Sequence, residues 1–363
     1  MRNGVDMTTR YTGLIERYRD RLPVSAGARI VSLGEGNTPL IRLENIPREL
    51  SHDIELYVKY EGLNPTGSFK DRGMTMAVTK AVEEGARAVI CASTGNTSAS
   101  AAAYAARAGI ACFVLIPEGK IALGKLAQAM VHGAVILQIE GNFDVGMNLV
   151  KQMAGAAAVT IVNSINPFRL QGQKTAAFEI IEALGGAPDY HCLPVGNAGN
   201  ISAHWMGYCE YADHGIANKR PTMVGYQASG AAPFLRGKMV DHPETIATAI
   251  RIGHPQSWDK AWSAQKESNG WFDECTDDEI LAAQRLLAQA EGVYCEPASA
   301  ISIAGALRDV RAGRIPAGSR IVCTLTGHGL KDPDIAIKHN SASVTRIPAE
   351  RVAVERAILE RLG

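Results

Sequence analysis

Asn64-Pro65-Thr66-Gly67-Ser68-Phe69-Lys70-Asp71-Arg72-Gly73 follows an apolar run over residues 54–60 and opens a helical pattern that lasts until Gly85. Strand, turn and helix in that order form the unit from which parallel sheets are wound. Pro65 and Gly67 supply the turn, and Ser68 can accept a hydrogen bond from free N–H groups at a helix start. Lys70 then falls in the first helical turn, where the positive end of the helix dipole disfavours an ammonium. A lysine so placed is either solvated or held with a lowered pKa, and a neutral lysine is both a nucleophile and a base. On this segment alone the plainer reading is an exposed lysine paired with Asp71 or Glu61.

The same unit recurs along the chain after this stretch. Apolar runs over 88–92, 112–116, 135–139, 159–162 and 190–195 read as strands. Helical patterns over 97–107, 121–132, 143–153 and 171–184 separate them, and Gly109, Gly133 and Gly185 stop three of these helices. Continuous apolar strands belong to parallel sheets covered on both faces, so the fold class is α/β. Past residue 200 the rhythm loosens. An irregular helical stretch over 243–268, in which Trp258 and Trp262 pack, precedes helices over 277–291 and 298–312 and a last strand over 320–325. At 363 residues the chain exceeds what one hydrophobic core holds, and two lobes are expected. No repeat or low-complexity linker divides them, which suits lobes that interleave.

The charge balance narrows the choice of partner. Lysine plus arginine equals aspartate plus glutamate at 37 each, which argues against nucleic acid or an anionic membrane as the partner. Seven cysteines without a C-x-x-C pair suggest neither a disulfide framework nor a zinc ribbon. His191, His204 and His214 lack ligand spacing, so no metal is expected. No apolar leader follows Met1, and Arg107 interrupts the longest candidate for a membrane span. A cytoplasmic location is the expectation.

Five loops carry the chemistry, in the position where open α/β sheets bind ligands. The lysine segment is the first. Ser93-Thr94-Gly95-Asn96-Thr97-Ser98 offers hydroxyls, an amide and helix N-terminal N–H groups, which suits a carboxylate; equally, Asn96 or Thr97 caps the alanine-rich helix. Gly196-Asn197-Ala198-Gly199-Asn200, before a helix over 201–210, lets N–H groups converge on a phosphate or simply makes a turn. It is neither a Walker A motif nor G-x-G-x-x-G. Asn163, Ser164 and Arg169 follow a strand within seven residues and suit a phosphate or carboxylate; the alternative for Arg169 is a salt bridge to Glu179 or Glu182. In Thr326-Gly327-His328-Gly329 the glycines admit close approach of a ring, and Thr326 can donate to it. The residues by themselves lead to an α/β enzyme that binds small anions and carries a candidate reactive lysine.

Together these loops resemble those of fold-type II pyridoxal-phosphate enzymes. The order Glu35-Gly36-Asn37-Thr38-Pro39-Leu40, Asn64 to Gly73, Ser93 to Ser98, Gly196 to Asn200 and Glu296-Pro297-Ala298-Ser299 is that of the family, and the pairing of the Asn64 and Gly196 motifs is closest to the short bacterial threonine synthases. The resemblance implies a two-lobed, tryptophan synthase β-like architecture, each lobe a mostly parallel sheet flanked by helices. It divides the chain into an N-terminal extension over 1–30, a core over 31–335 and a tail over 336–363. Within the core the smaller lobe is about 75–165 and the larger about 31–74 plus 166–335. It implies that Lys70 carries pyridoxal 5'-phosphate as a Schiff base and later shuttles protons. Gly196, Asn197, Ala198, Gly199 and Asn200 would cradle the cofactor phosphate, Asn96 would bond the ring hydroxyl and Thr326 the pyridine nitrogen. Ser93, Thr94 and Thr97 would receive the substrate carboxylate, and Asn163, Ser164 and Arg169 the substrate phosphate. The implied reaction is the lyase conversion of O-phospho-L-homoserine and water to L-threonine and phosphate, in a homodimer. A threonine or serine dehydratase is the nearest alternative, and a non-catalytic amino-acid sensor a more distant one. His328 stands where the family has asparagine, free either to stack on the ring or to face solvent.

Overall fold

The computed structural model describes residues 10–50, 53–118, 123–140, 149, 152, 158–340 and 345–362. Ten strands are described: β1 (Leu40–Arg42), β2 (Glu55–Tyr60), β3 (Ala88–Ala92), β4 (Ala111–Pro117), β5 (Val135–Ile139), β6 (Val159–Ile161), β7 (Tyr190–Pro194), β8 (Thr222–Ala228), β9 (Trp271–Cys275) and β10 (Arg320–Leu325). They form two sheets, one in the order β5-β4-β3-β6 and one in the order β1-β2-β10-β7-β8-β9. Every pairing is parallel except that of the short edge strand β1 with β2. The smaller sheet draws on residues 88–161, and the larger takes strands from both sides of that segment.

β8 and β9 were not among the expected strands. β8 is a buried apolar run on which helices pack, and Gly225 lets it lie against the Phe272 ring of β9, where a Cβ would come within 2.6 Å. The helix expected over 243–268 is confined to Trp258–Glu267, after a single turn at Thr248–Ile250. Pro243 and Pro255 remove backbone donors there, and Gly253 touches the Val240 carbonyl at a place where a Cβ would be 1.7 Å away. Trp258 and Trp262 pack with Phe234 and Phe272. The helix expected over 143–153 lies almost wholly outside the described residues. Residues 10–30 are no mere extension: Leu14, Ile15, Tyr18 and Leu22 join Phe178, Ile181 and Tyr211 in one buried cluster. Residues 332–363 form a second compact unit containing the helices Pro333–Asn340 and Arg351–Leu362.

Helix boundaries matter most around two elements. The helix begun by the opening segment runs Lys70–Glu83, so Lys70 is its first residue. The helix expected from 171 starts at Pro167, because Pro167 fits the first helical position and the Asn166 side chain accepts from Phe168 N. Arg169 therefore sits in a first turn rather than in a loop. The two helices cross backbone to backbone. A Cβ on Gly172 would lie 1.8 Å from the Arg72 carbonyl oxygen, and one on Gly73 would lie 3.0 Å from the Arg169 carbonyl oxygen.

Candidate active site

Five strands end at the loops singled out in the sequence. The Lys70 segment follows β2, the Thr326 loop follows β10 and the Gly196 loop follows β7, and these three strands are consecutive in the larger sheet. The Ser93 loop follows β3 and the Asn163 segment follows β6, which are neighbours in the smaller one. All the loops lie at carboxyl ends of parallel strands.

Lys70 has neither of the partners that an exposed ion pair would give it. Asp71 accepts from Thr66 N, Thr66 Oγ1 and Ser100 Oγ at 2.6–2.7 Å. Glu61 is taken by Arg72. The Lys70 ammonium position lies 4.4 Å from the Phe69 ring centre. Burial, reinforced by the nearby Arg169 charge and opposed by Glu296, brings its pKa down to about 7. The helix does not gain a side-chain cap from Ser68, whose Oγ only accepts from Lys70 N at 3.4 Å.

Arg72 lies two residues further on, 1% exposed, at the centre of a closed ion cluster. It donates to Glu61 at 2.6 and 2.8 Å, to Glu179 at 2.6 and 2.7 Å and to Thr38 Oγ1 at 3.1 Å. Lys59 donates to Glu179 at 2.7 Å and to the Thr38 carbonyl at 2.6 Å. Burial would raise the Glu179 carboxyl, but Arg72 and Lys59 outweigh it and hold the group down at about 2. The segment Gly36-Asn37-Thr38 is thereby tied to the Lys70 helix and to the helix that carries Arg169: Asn37 N donates to Glu179 and Gly36 N to Asn64 Oδ1. None of these charges was read as functional from the sequence.

Arg169 is likewise 1% exposed, but no carboxylate meets it. Its Nη1 donates to the Val162 carbonyl at 3.2 Å, while Nε and Nη2 are buried without a partner. Burial pushes the guanidinium down to about 10. The salt bridges open to it in the sequence are absent: Glu179 belongs to the Arg72 cluster, and Glu182 accepts from Arg17, Tyr18 and Tyr211. A buried guanidinium without a carboxylate partner is costly, and its chemistry suits a phosphate or carboxylate.

The neighbouring polar groups divide into two kinds. Asn163 is buried and committed to Ala92, donating to its carbonyl and accepting from its N–H, both at 3.0 Å. It clamps the end of β3, from which Ser93 to Ser98 depart. Ser164, Ser93, Thr94 and Asn96 are half-buried and Thr97 is buried. Gly95, not Asn96 or Thr97, occupies the cap position of the helix Asn96–Ala108, and Ser98 Oγ donates back to the Gly95 carbonyl.

The Gly196 loop feeds the helix Gly199–Asp213 through Ala198, held at φ 63. That left-handed residue turns successive N–H groups to one side, the geometry of an anion nest at a helix N-terminus. A Cβ on Gly196 would sit 3.0 Å from Ile250 Cα, so the loop is backed tightly, and Asn200 Nδ2 is buried without a partner. Thr326 Oγ1 lies 2.9 Å from Ser299 Oγ, which also accepts from Gly327 N at 2.9 Å. Phe69 N donates to the Thr326 carbonyl at 2.9 Å, joining this loop directly to the lysine segment. His328 stacks near-parallel to Tyr60 at 6.0 Å and edge-on to Tyr294, and its Nδ1 accepts from Leu330 N. It is half-buried in an aromatic layer rather than free in solvent. Glu296 and Ser299, quoted only as part of a motif, prove to lie among these residues; an acidic residue ahead of a proline at a helix start is the signal that marks them.

Chemically the site brings together an amine with a pKa of about 7, a loop of backbone N–H groups at a helix N-terminus and a buried guanidinium with two open nitrogens. The profile of a family described as pyridoxal-phosphate dependent enzyme matches residues 31–327. The chain is 59% identical over 335 residues to threonine synthase of Synechocystis sp., covering 92% of this chain and 87% of that one. It is 54% identical over 354 residues to threonine synthase of Halalkalibacterium halodurans, covering 98% of each. Among solved structures, maize serine racemase superposes with a TM-score of 0.71 at 20% identity, over 85% of this chain and 92% of that one, a likeness of fold alone.

Proposed function

The chain belongs to the pyridoxal-phosphate dependent enzyme family, and from that premise we propose that it converts O-phospho-L-homoserine and water to L-threonine and phosphate. One observation carries the choice of substrate: a second, guanidinium anion site beside Lys70, apart from the backbone nest that suits the cofactor phosphate. A dehydratase acting on serine or threonine has no γ phosphate to hold there. The relatives named threonine synthase support the same reading.

Two features of the chain suit the cofactor: the desolvated Lys70 amine, and the tightly backed nest with the open Asn200 amide. Lys70 would hold the group through Nζ, Gly196 to Asn200 would bind its phosphate, and Asn96 and Thr326 would meet its ring polar atoms. When bound, pyridoxal phosphate supplies the electron sink that lets protons leave carbons near the substrate amino group. Lys70 Nζ, with a pKa brought down to about 7, accepts and returns protons at Cα, Cβ and Cγ in turn. Ser93, Thr94 and Thr97 orient the substrate carboxylate at a helix N-terminus. Arg169 and Ser164 bind the phosphate and stabilise the charge that grows on it as the Cγ–O bond breaks. Asn163 acts at one remove, fixing Ala92 and so the Ser93 loop.

Seven unpaired cysteines suit a reducing compartment, so the proposed location is the cytoplasm; among the described residues no helix is long and apolar enough to cross a membrane. A homodimer is proposed on the family likeness. The test is direct: purified protein should release phosphate and form threonine from phosphohomoserine, and should show a cofactor absorption band that Lys70→Ala removes. Protein that stays colourless after incubation with the cofactor would overturn the reading.

A further inference from the structure

Glu296-Pro297-Ala298-Ser299 is the one motif of the sequence to which no role has been given. Glu296 is 4% exposed and stands at the N-terminus of the helix Pro297–Arg311, where an anion is favoured. Its backbone is fixed by donation from Glu296 N to the Gly327 carbonyl at 3.0 Å. Its side chain is walled in by Gly327, on which a Cβ would come within 2.6 Å of the carboxylate. Asn96 Nδ2 donates to both carboxylate oxygens, at 3.2 and 3.3 Å, and Thr326 Oγ1 lies 3.5 Å from Oε1. The Lys70 amine feels the charge of the same carboxylate, which favours its ammonium. Asn96 and Thr326 come from two different strand ends, and both meet Glu296.

We propose that Glu296 is a positioning residue of the site: its fixed carboxylate orients the Asn96 amide and the Thr326 hydroxyl, and its charge sets how tightly Lys70 Nζ holds a proton. This rests on the reading of Lys70 as the reactive amine. The charged groups that act on Lys70 are Arg169, which favours the free amine, and Glu296, which favours the ammonium; Lys331 in turn feels the Glu296 charge. Burial, and after it Arg169, favour the free amine. Glu296 is the counterweight that keeps it able to take up a proton as well as give one up.

The test is the pH dependence of Lys70 acetylation in the full chain stripped of cofactor, read by mass spectrometry. In Glu296→Gln, which keeps shape and hydrogen bonding but not charge, the labelling midpoint is expected to fall by about one pH unit. Glu296→Asp, which keeps the charge but withdraws it by one methylene, should move it by roughly half as much. A midpoint unchanged in both variants, or shifted equally in both, would overturn the proposal. Should Glu296→Gln not fold, an unmoved midpoint in Glu296→Asp overturns it alone. The readout needs no substrate. A wild-type protein that forms no threonine would therefore undo the substrate reading and leave this result standing.

Discussion

Arg72 and Arg169 are both closed to solvent, on two helices whose backbones touch at Gly172 and Gly73. Arg72 makes four short bonds to two carboxylates, with Lys59 completing a cluster of two cations and two anions. Arg169 makes one bond, to a backbone carbonyl, and two of its nitrogens have nothing. Burying a guanidinium without a counter-ion is costly in a folded chain, a cost that the proposed substrate phosphate would offset.

The contrast can be broken by experiment. Arg72→Met should strand Glu61 and Glu179 and lower the unfolding free energy by about 3–5 kcal/mol, measured by urea denaturation, with KM unchanged in the protein that remains folded. Arg169→Met should do the reverse. Stability should hold or rise, while kcat/KM for phosphohomoserine falls by roughly 100-fold; an equal loss of stability in both variants would erase the distinction. The next effect is one of pH. Glu179 titrates at about 2 in the folded chain against an ordinary 4.5, so its contribution is present above 4.5 and is lost as pH falls through that window. The slope for this one carboxyl is at most about 1.4 kcal/mol per pH unit. Arg72→Met should flatten it; acid unfolding curves that coincide for the two proteins would show that the pair does not act together. The smallest change is Thr38→Val, which removes the hydroxyl between Glu61 and Arg72 and should lower stability by ~1 kcal/mol with no effect on turnover.

How legible this was depended on distance along the chain. Apolar runs and glycine helix stops are local signals, and they located seven of the ten strands; β1 is a three-residue edge, and β8 and β9 lie where prolines and tryptophans obscure the period. The loops were legible because turn chemistry is also local. Arg72 was not: its partners are 11 and 107 residues away, and nothing in Asp71-Arg72-Gly73 announces them. Asn163 was read as a ligand residue because its type suited a phosphate, yet the register of β3 beside β6 hands its amide to Ala92. Arg169 drew notice by type and spacing, but only the structure reveals that Glu179 and Glu182 are already engaged. Residues 14–22 carry the apolar side chains of a core cluster whose other buried members are Met76 and residues beyond 176, which no local pattern reveals.

The contact at Gly172 carries one more implication, for engineering. Because main chain meets main chain there, the spacing at Gly172 between the helix that begins at Lys70 and the helix that begins just before Arg169 cannot be reduced by trimming a side chain. The protein holds a caliper of fixed opening. On the proposed binding mode, substitutions around the cleft would change what fits beside the substrate, but not how far its amino end stands from its phosphate. Acceptance of a homologue one carbon longer would require moving a helix, not carving a pocket.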